Sequence, residues 1–548
     1  MTEWSLGAVF DAVADAVPDR TMTVCGDRRS TFGESSSRTR RFANFLADRG
    51  FGEHTPRHRL DRWECGQDRI ALIMRNDLYP DLMIACAKAR VVPVNVNHHY
   101  TPREIRDLLA YIAPRGIVYH RSFGPVVDRT APPGVELLVS VDDGTDVPEL
   151  AGAVPFEEAV ELGDPDAVIA TSPDDLIMLC TGGTTGRPKG VLWRQGDMYV
   201  SSMNGADHDS AEPVQALAHA TGQVWFAASP LSHAAGTWTT FAGLLAGQTV
   251  VLYDDREKFD ARTALETAER EKVTLMTIVG DAYAGPLVRE MQRRPYELSS
   301  LSVIGTGGAA TNPVHKRALL EQLPHAFLVE GYGSSETGGM GYGRSTRGAE
   351  VDTFDPMPGG TAVSHDRTRL LNPGDPEIGW AARTGRVPLG YFDDRAATEA
   401  TFPIIDGQRL AIPGDRVAVD ADGSLRLLGR DSLVVNTGGE KVFVEEVEEV
   451  LRAQPGVVDA LVVGRSSPRW GQEIVALVQS ADGESVRSVD CESVESALRQ
   501  ACRDALAGFK APKAFVFVPE IRRLGNGKPD YRWAAQQVAE PALEKDGA

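Results

Sequence analysis

Residues 67–96 read QDRIALIMRNDLYPDLMIACAKARVVPVNV, two short apolar runs, RIALIM and VVPVNV, flanking an amphipathic stretch with helical spacing. Short apolar runs bounded by turn-forming residues are buried strands, so this stretch predicts strand, helix, strand. The same rhythm recurs at 115–120, 174–180, 223–228, 249–253, 273–279 and 301–305. Strands alternating with helices bury both faces of a largely parallel sheet, which specifies a layered α/β architecture. The polar stretch 51–66, FGEHTPRHRLDRWECG, interrupts the rhythm and reads as a surface loop.

From Val351 to Gly429 the texture changes to short strands punctuated by MPGG, LNPGDPEIG, IPGD and DADGS, which predicts a small β-rich subdomain. Beyond Arg430 an αβ pattern resumes. VFVEEVEEVLRAQ and CESVESALRQACRDALAG read as helices, and VVDALVVGR and EIVALVQS as strands. Residues 431–548 are therefore expected to form a separate domain, with a hinge at Asp431-Ser432, where an element boundary best absorbs torsional change.

The chain has 548 residues, 42% hydrophobic and 24% charged, enough for more than one core and unlike a fibrous or disordered protein. Against 77 Asp and Glu stand 57 Lys and Arg, a net charge of −20 with no basic patch, which disfavours nucleic-acid polymers and anionic membranes. A small nucleotide remains compatible, because a pocket needs only a few convergent donors. Six cysteines (Cys25, Cys65, Cys86, Cys180, Cys491, Cys502) form no close pair, so neither a zinc knuckle nor a disulfide framework is expected. The opening MTEWSLGAVFDAVADAVPDR carries four acids and no basic n-region, and no later stretch stays apolar for about 18 residues. The expectation is a soluble, cytoplasmic protein without stable membrane insertion.

After the apolar run DLIMLC comes Thr181-Gly182-Gly183-Thr184-Thr185-Gly186-Arg187-Pro188-Lys189-Gly190. Glycines let backbone N–H groups approach oxygen, hydroxyls donate to it and Lys189 offsets its charge, the ingredients of a phosphate cradle. It is not a Walker A loop, since Pro188 precedes the lysine and Gly190 follows it.

This string resembles the signature of the adenylate-forming superfamily, and further matching strings follow in family order. Leu301 to Ala309, LSVIGTGGA, is similar to the adenine-side glycine segment, and Tyr332 to Gly338, YGSSETG, to the central aromatic-acidic motif. Pro413-Gly414-Asp415 and Gly429-Arg430 resemble the ribose-binding pair, and Asn526-Gly527-Lys528 the catalytic-lysine motif. The resemblance spans nearly the whole chain. It implies an α/β fold: a large N-terminal body (1–430) of two layered α/β subdomains plus the β-rich subdomain at about 351–430, and a small mobile α+β C-terminal domain (431–548).

The resemblance also implies two half-reactions, in which a carboxylate attacks the α-phosphorus of ATP to give acyl-AMP and pyrophosphate, and a thiol then displaces AMP. Thr181, Gly182, Gly183, Thr184, Thr185 and Gly186 with Lys189 would hold the β- and γ-phosphates, and Glu336 the Mg²⁺ that bridges them. Gly307, Gly308 and Ala309 would leave room for adenine opposite Tyr332 and Gly333; Ser334 belongs to the same motif, and Ser335 stands where the family has threonine. Asp415 and Arg430 would hold the ribose, Lys528 the charge developing during adenylation, and Gly438 and Gly439 the pantetheine tunnel of coenzyme A. Two departures stand out. Pro529-Asp530-Tyr531-Arg532 replaces the usual apolar residue and Arg after the catalytic lysine, and Ser432 occupies the usual hinge position.

His233, in SPLSHAAG, matches the family's substrate-side motif and is a catalytic candidate with Lys528, Glu336 and Lys189. Small residues around it (Ala234, Ala235, Gly236, Gly280, Ala282, Gly339, Gly341) predict a broad cavity. No residue there pairs obviously with an α-amino group. The phrases TIVGDAYAGPLVREM and TGGTTGRPKGVLWRQGDMY resemble actinobacterial acyl-CoA synthetases of steroid or other bulky acids, with a polycyclic terpenoid acid fitting equally. The expected partners are a small carboxylic acid and CoA; a long-chain fatty acid and a carrier-protein thiol are the alternatives, and a homodimer is a family-level expectation. A purely nucleotide-binding protein would not need a lysine on a separate domain.

Overall fold

In the computed structural model, residues 2–538 are described apart from 183–187, 233, 257, 310, 350, 431–432, 438–439, 468–470, 481–490, 507 and 525–527. The opening stretch folds as read: strand Arg69–Ile73, helix Tyr79–Lys88 and strand Val92–Asn95. Both strands are almost wholly buried, as parallel strands covered on two faces must be.

These strands belong to an eight-stranded sheet with the order Gly390–Tyr391, Pro188–Arg194, Leu176–Gly182, Val92–Asn95, Arg69–Ile73, Gly116–His120, Leu137–Val141, Val154–Pro155. The first three run antiparallel to one another and the rest parallel. A nine-stranded sheet runs Asp355–Pro356, Gly338–Ser345, Phe327–Ser334, Val303–Gly307, Leu275–Ile278, Val224–Ala227, Thr249–Leu252, Thr21–Cys25, Arg28–Thr31. One core unites the inner faces of both: Leu72, Ile177 and Trp193 from the first and Val250 and Leu252 from the second, with Phe10, Phe42, Leu82 and Phe241 from intervening helices. Further helices cover the outer faces, Pro102–Ile112 on the first sheet and Ala261–Arg270, Gly280–Arg293 and Pro313–Gln322 on the second. The result is the layered α/β body expected.

The stretch 351–430 is less self-contained than its punctuation suggests. Six of its strands form a separate sheet around Ala362, Ala381, Val417 and Leu425. Asp355–Pro356 joins the nine-stranded sheet, Gly390–Tyr391 joins the eight-stranded sheet, and Arg395–Thr401 is helical. Turn residues mark where strands end, while the sheet a strand joins is set by its partners. The C-terminal residues form a five-stranded sheet flanked by helices Val444–Arg452, Cys491–Ala505 and Tyr531–Val538, with hydrophobic clusters of its own. The Asp431-Ser432 hinge lies outside the described residues.

Among the described residues no helix is long and apolar enough to cross a membrane, and Cys25, Cys65, Cys86, Cys180 and Cys502 are free thiols.

Candidate active site

Strand Leu176–Gly182 turns into the glycine-rich loop and returns as Pro188–Arg194, pairing Thr181 with Lys189 and Cys180 with Gly190. Lys189 is thereby held at the foot of the loop, opposite Thr181. Gly183, Thr184, Thr185 and Gly186 lie outside the described residues, as do His233, Gly438 and Gly439. The Gly190 N–H donates to the Tyr111 hydroxyl at 3.2 Å, and that hydroxyl donates to the Phe392 carbonyl at 2.6 Å. The return strand is thus tied to the segment carrying Tyr391.

Tyr391 is a site residue that the sequence patterns do not mark. It pairs with Val191, and Lys189 Nζ sits 4.7 Å from its ring centroid. Its hydroxyl donates to Glu336 Oε1 at 2.9 Å. Burial, with the Glu336 carboxylate beside it, pushes the phenol far above its usual range, so it remains a proton donor. The two charged residues of separate motifs therefore meet on one aromatic ring, through a hydroxyl on one side and a cation–π contact on the other.

Glu336 sits on the turn between strands Phe327–Ser334 and Gly338–Ser345. Thr337 Oγ1 accepts from the Ser334 N–H at 2.9 Å, and the Thr337 N–H donates to the Ser334 carbonyl at 3.1 Å. Gly338 has φ +69°, and a Cβ there would lie 2.4 Å from Ser202 Oγ, so only glycine fits without strain. Ser335 is buried, and its carbonyl accepts from the indole of Trp193 at 2.9 Å. Trp193, fully buried on the Lys189 strand, thus couples that strand to the Glu336 turn.

On the other side, Val303–Gly307 pairs in parallel with Phe327–Ser334, setting Gly307 beside Gly331. Tyr332 extends from this sheet to the six-stranded one, where its hydroxyl donates to the buried carboxylate of Asp415 at 2.8 Å. Asp415 is in register with Arg430 across an antiparallel pair, so the expected ribose-side residues are neighbours. Lys528 lies on the C-terminal unit with an exposed side chain, its carbonyl accepting from the Leu524 N–H at 2.8 Å.

Three of the small residues expected to open a cavity have no free space beside them. A Cβ on Gly236 would lie 2.4 Å from the Pro230 carbonyl, one on Gly339 2.9 Å from Met357 Sδ and one on Gly341 3.0 Å from the Asp355 carbonyl. These glycines are small because other atoms already fill the space. Gly308 differs: its φ of +75° already favours glycine, and among the described residues its Cβ would meet Ala235 Cβ at 3.9 Å, an ordinary contact. Among the described residues the surroundings of Gly308 are thus less crowded than those of the other three, with Ala235 facing it. A separate cavity of about 350 Å³, lined by Arg293, Tyr296, Leu298 and Leu323 among others, contains none of the motif residues.

Two buried amides also escaped the sequence reading. Asn95 donates to the Ser232 carbonyl and accepts from the Cys180 N–H at 3.1 Å, and Asn76 accepts from the Leu231 N–H at 3.1 Å. Asn95 thus holds Ser232 against strand Leu176–Gly182, and Asn76, which also donates to the Tyr253 carbonyl at 2.9 Å, holds Leu231 against the end of strand Thr249–Leu252.

The AMP-binding enzyme family model matches residues 10–379, and the model of the AMP-binding enzyme C-terminal domain matches residues 446–528. A medium-chain acyl-CoA ligase, Mig, of Mycobacterium avium is 42% identical, covering 98% of this chain and 98% of that protein. A 3-oxocholest-4-en-26-oate–CoA ligase of Rhodococcus rhodochrous is 34% identical over 97% of this chain and 96% of its own length. In fold, the chain is similar to ATP-bound MatB from Rhodopseudomonas palustris, with a TM-score of 0.80 at 21% identity, covering 98% and 99% of the two chains.

Proposed function

The chain belongs to the AMP-binding enzyme family, and on that premise we propose that it joins a bulky hydrophobic carboxylic acid, a steroid side-chain or polycyclic terpenoid acid, to coenzyme A at the expense of ATP. As an AMP-forming acid–thiol ligase it works in two steps. A carboxylate oxygen bonds to the α-phosphorus as the bond to pyrophosphate breaks; the CoA sulfur then bonds to the acyl carbon, its proton is lost and AMP leaves.

The observation that carries this reading is the Lys189–Tyr391–Glu336 arrangement. Both reactants of the first step are anions, so the site must supply cationic and metal-directed groups without letting them neutralise each other. Tyr391 separates Lys189, directed at the β- and γ-phosphates with Thr181, Thr184 and Thr185, from Glu336. Mg²⁺ carried by the nucleotide fits Glu336: it is a hard cation commonly held by one or two carboxylates plus phosphate oxygens. Among the described residues no group of three or more His, Cys, Asp or Glu forms a dedicated metal cage. The ion supplies charge neutralisation at the phosphates.

Asp415 and Arg430 then hold the ribose, Tyr332 packs on adenine opposite Gly307, Gly308 and Ala309, and Ser335 belongs to the turn facing the α-phosphate. Lys528 approaches the acid and α-phosphate on residues 431–548 as a moving unit, and Gly438 and Gly439 line the pantetheine path after that unit turns. By its motif, His233 is given the acid side. The relative named for 3-oxocholest-4-en-26-oate supports a wide acid, whose rings would begin beside Ala235. A medium-chain acid is the second reading, favoured by the 42% identical relative's name.

The test is acid-dependent pyrophosphate exchange and CoA-thiol consumption with 3-oxocholest-4-en-26-oate, dodecanoate and propionate. Turnover of the steroid acid at or above that of dodecanoate is expected. Selectivity for propionate would overturn the wide-acid reading, and exchange without thiol consumption would overturn CoA as the acceptor.

A further inference from the structure

The Pro529-Asp530-Tyr531-Arg532 departure from the family pattern has a structural counterpart in the C-terminal unit. On either side of Lys528 the chain pairs with itself. Leu524 N donates to the Lys528 carbonyl at 2.8 Å, Arg523 bridges to Pro529, and Asp530 N donates to the Arg522 carbonyl at 3.1 Å. Asp530 then begins the helix Tyr531–Val538, its carboxylate accepting from the Trp533 N–H at 3.0 Å. Lys528 therefore stands at the head of two short arms.

Both arms end on the same buried ionic cluster. Tyr531 donates its hydroxyl to Glu448, 3.0 Å from either carboxylate oxygen. Arg523 Nη2 donates to Asp459 Oδ2. Glu448, only 1% exposed, also accepts from the Val462 N–H at 2.8 Å and from Arg452 Nη2 at 2.8 Å. Arg452 Nε reaches Asp459 Oδ1 at 3.0 Å, closing the cluster. Glu448 and Arg452 lie on helix Val444–Arg452, and Asp459 on strand Val457–Ser467. A surface lysine on a polar loop would otherwise sample many positions, whereas stabilising charge at one phosphorus requires placement within about half an ångström.

We propose that Tyr531 is a positioning residue for Lys528: with Arg523 it clamps the lysine-bearing arms to the buried Glu448–Arg452–Asp459 cluster, so that the lysine meets the acid and α-phosphate in one geometry. The inference rests on the adenylation role given to Lys528 above. Tyr531 touches neither substrate nor nucleotide, and its effect is confined to the half-reaction in which Lys528 acts.

The experiment compares Tyr531→Phe, Glu448→Gln and Lys528→Ala in the full-length chain. The acid is whichever of dodecanoate and 3-oxocholest-4-en-26-oate the wild type turns over faster. Two rates are read, acid-dependent pyrophosphate exchange and CoA thioester formation from the synthetic acyl-AMP, with a thermal melt of each variant. Tyr531→Phe is expected to slow exchange about 10- to 100-fold while thioester formation from acyl-AMP stays within about twofold of wild type. Unchanged exchange in Tyr531→Phe, beside a Lys528→Ala variant that has lost it, would overturn the clamp alone. Equal slowing of both half-reactions would make Tyr531 merely structural and also overturn it. Glu448→Gln keeps the shape of the acceptor, so exchange closer to wild type than in Tyr531→Phe supports the hydroxyl contact as the working element. Full exchange in Lys528→Ala would instead defeat the role given to the lysine.

Discussion

The Tyr332 hydroxyl donates to the buried Asp415 carboxylate at 2.8 Å, joining the nine-stranded sheet to the six-stranded sheet. Asp415 is thereby oriented before any ligand arrives, with Arg430 opposite it in register. Tyr332→Phe keeps the ring and removes this bond. A hydrogen bond to a charged acceptor contributes about 1–2 kcal/mol, so ATP affinity should fall about 5- to 30-fold. Calorimetric titration with ATP checks it, and an unchanged dissociation constant would mean that Asp415 needs no such support.

Tyr391 makes a different kind of prediction, because one side chain serves two charges. Tyr391→Phe retains the ring face under Lys189 and withdraws the donor from Glu336. The Mg²⁺ concentration giving half-maximal pyrophosphate exchange should rise several-fold, with a smaller effect on the ATP requirement at saturating metal. Tyr391→Leu removes the ring as well and should weaken both. Equal behaviour of the two variants would show that the cation–π contact contributes nothing.

The wall at Ala235, beside the uncrowded Gly308, should set acid width. Ala235→Leu thickens it from the first turn of helix Ala234–Leu244, without touching the positive φ of +75° at Gly308. A few added methylenes in an apolar wall change discrimination by about tenfold or more. The ratio of kcat/KM for 3-oxocholest-4-en-26-oate to that for dodecanoate should fall by about that factor, and an unaltered ratio would locate the rings elsewhere.

Away from Lys189 and Glu336, Asp255 is mostly but not fully buried, its side chain 13% exposed, beside His98. His98 Nδ1 lies 3.0 Å from the Met74 carbonyl, an acceptor only, so it carries the proton, and Nε2 turns its lone pair toward Asp255 Oδ2 at 3.5 Å. Burial first, and neighbouring charge second, hold His98 down at about 3. Burial pushes Asp255 up to about 6, despite its bond from the Asn76 N–H and the nearby Arg75. Between the unfolded carboxyl value near 4 and the folded value near 6, the native state binds the extra proton. Stability from this group is therefore full below about pH 4 and lost as the pH rises through 6. Asp255→Asn should raise stability at pH 8 by up to about 3 kcal/mol, with the gain vanishing near pH 4. Denaturant unfolding at the two pH values is the check, and a pH-independent difference would rule out this titration.

Much of the architecture was legible in local pattern. RIALIM and VVPVNV could be read as strands because burial on both faces demands continuous apolar runs, and turn chemistry marked where 351–429 breaks into short pieces. That Gly390–Tyr391 would leave this region to border the strand carrying Lys189 was not legible, since a two-residue strand has no periodicity. The glycines near His233 looked alike in sequence. At Gly236, Gly339 and Gly341 a carbonyl or sulfur already occupies the space of a side chain, whereas Gly308 is required by its positive φ, a difference that exists only in the folded chain.

By itself the sequence determined the order of the motifs, the layered α/β class and the charged residues available for phosphate chemistry, because these depend on residue type and near-neighbour spacing. Only the tertiary structure decided how those charges are used. Lys189 and Glu336 are 147 positions apart by their numbers, and they meet because Tyr391, from a third segment, carries one on its ring and bonds the other through its hydroxyl. The chain on either side of Lys528 is likewise tied to Glu448 and Asp459, through Tyr531 and Arg523. Contacts of this kind depend on which strands share a sheet and which helices pack on it, and the free energy that selects those pairings belongs to the whole packed chain, with no imprint on any short stretch of it.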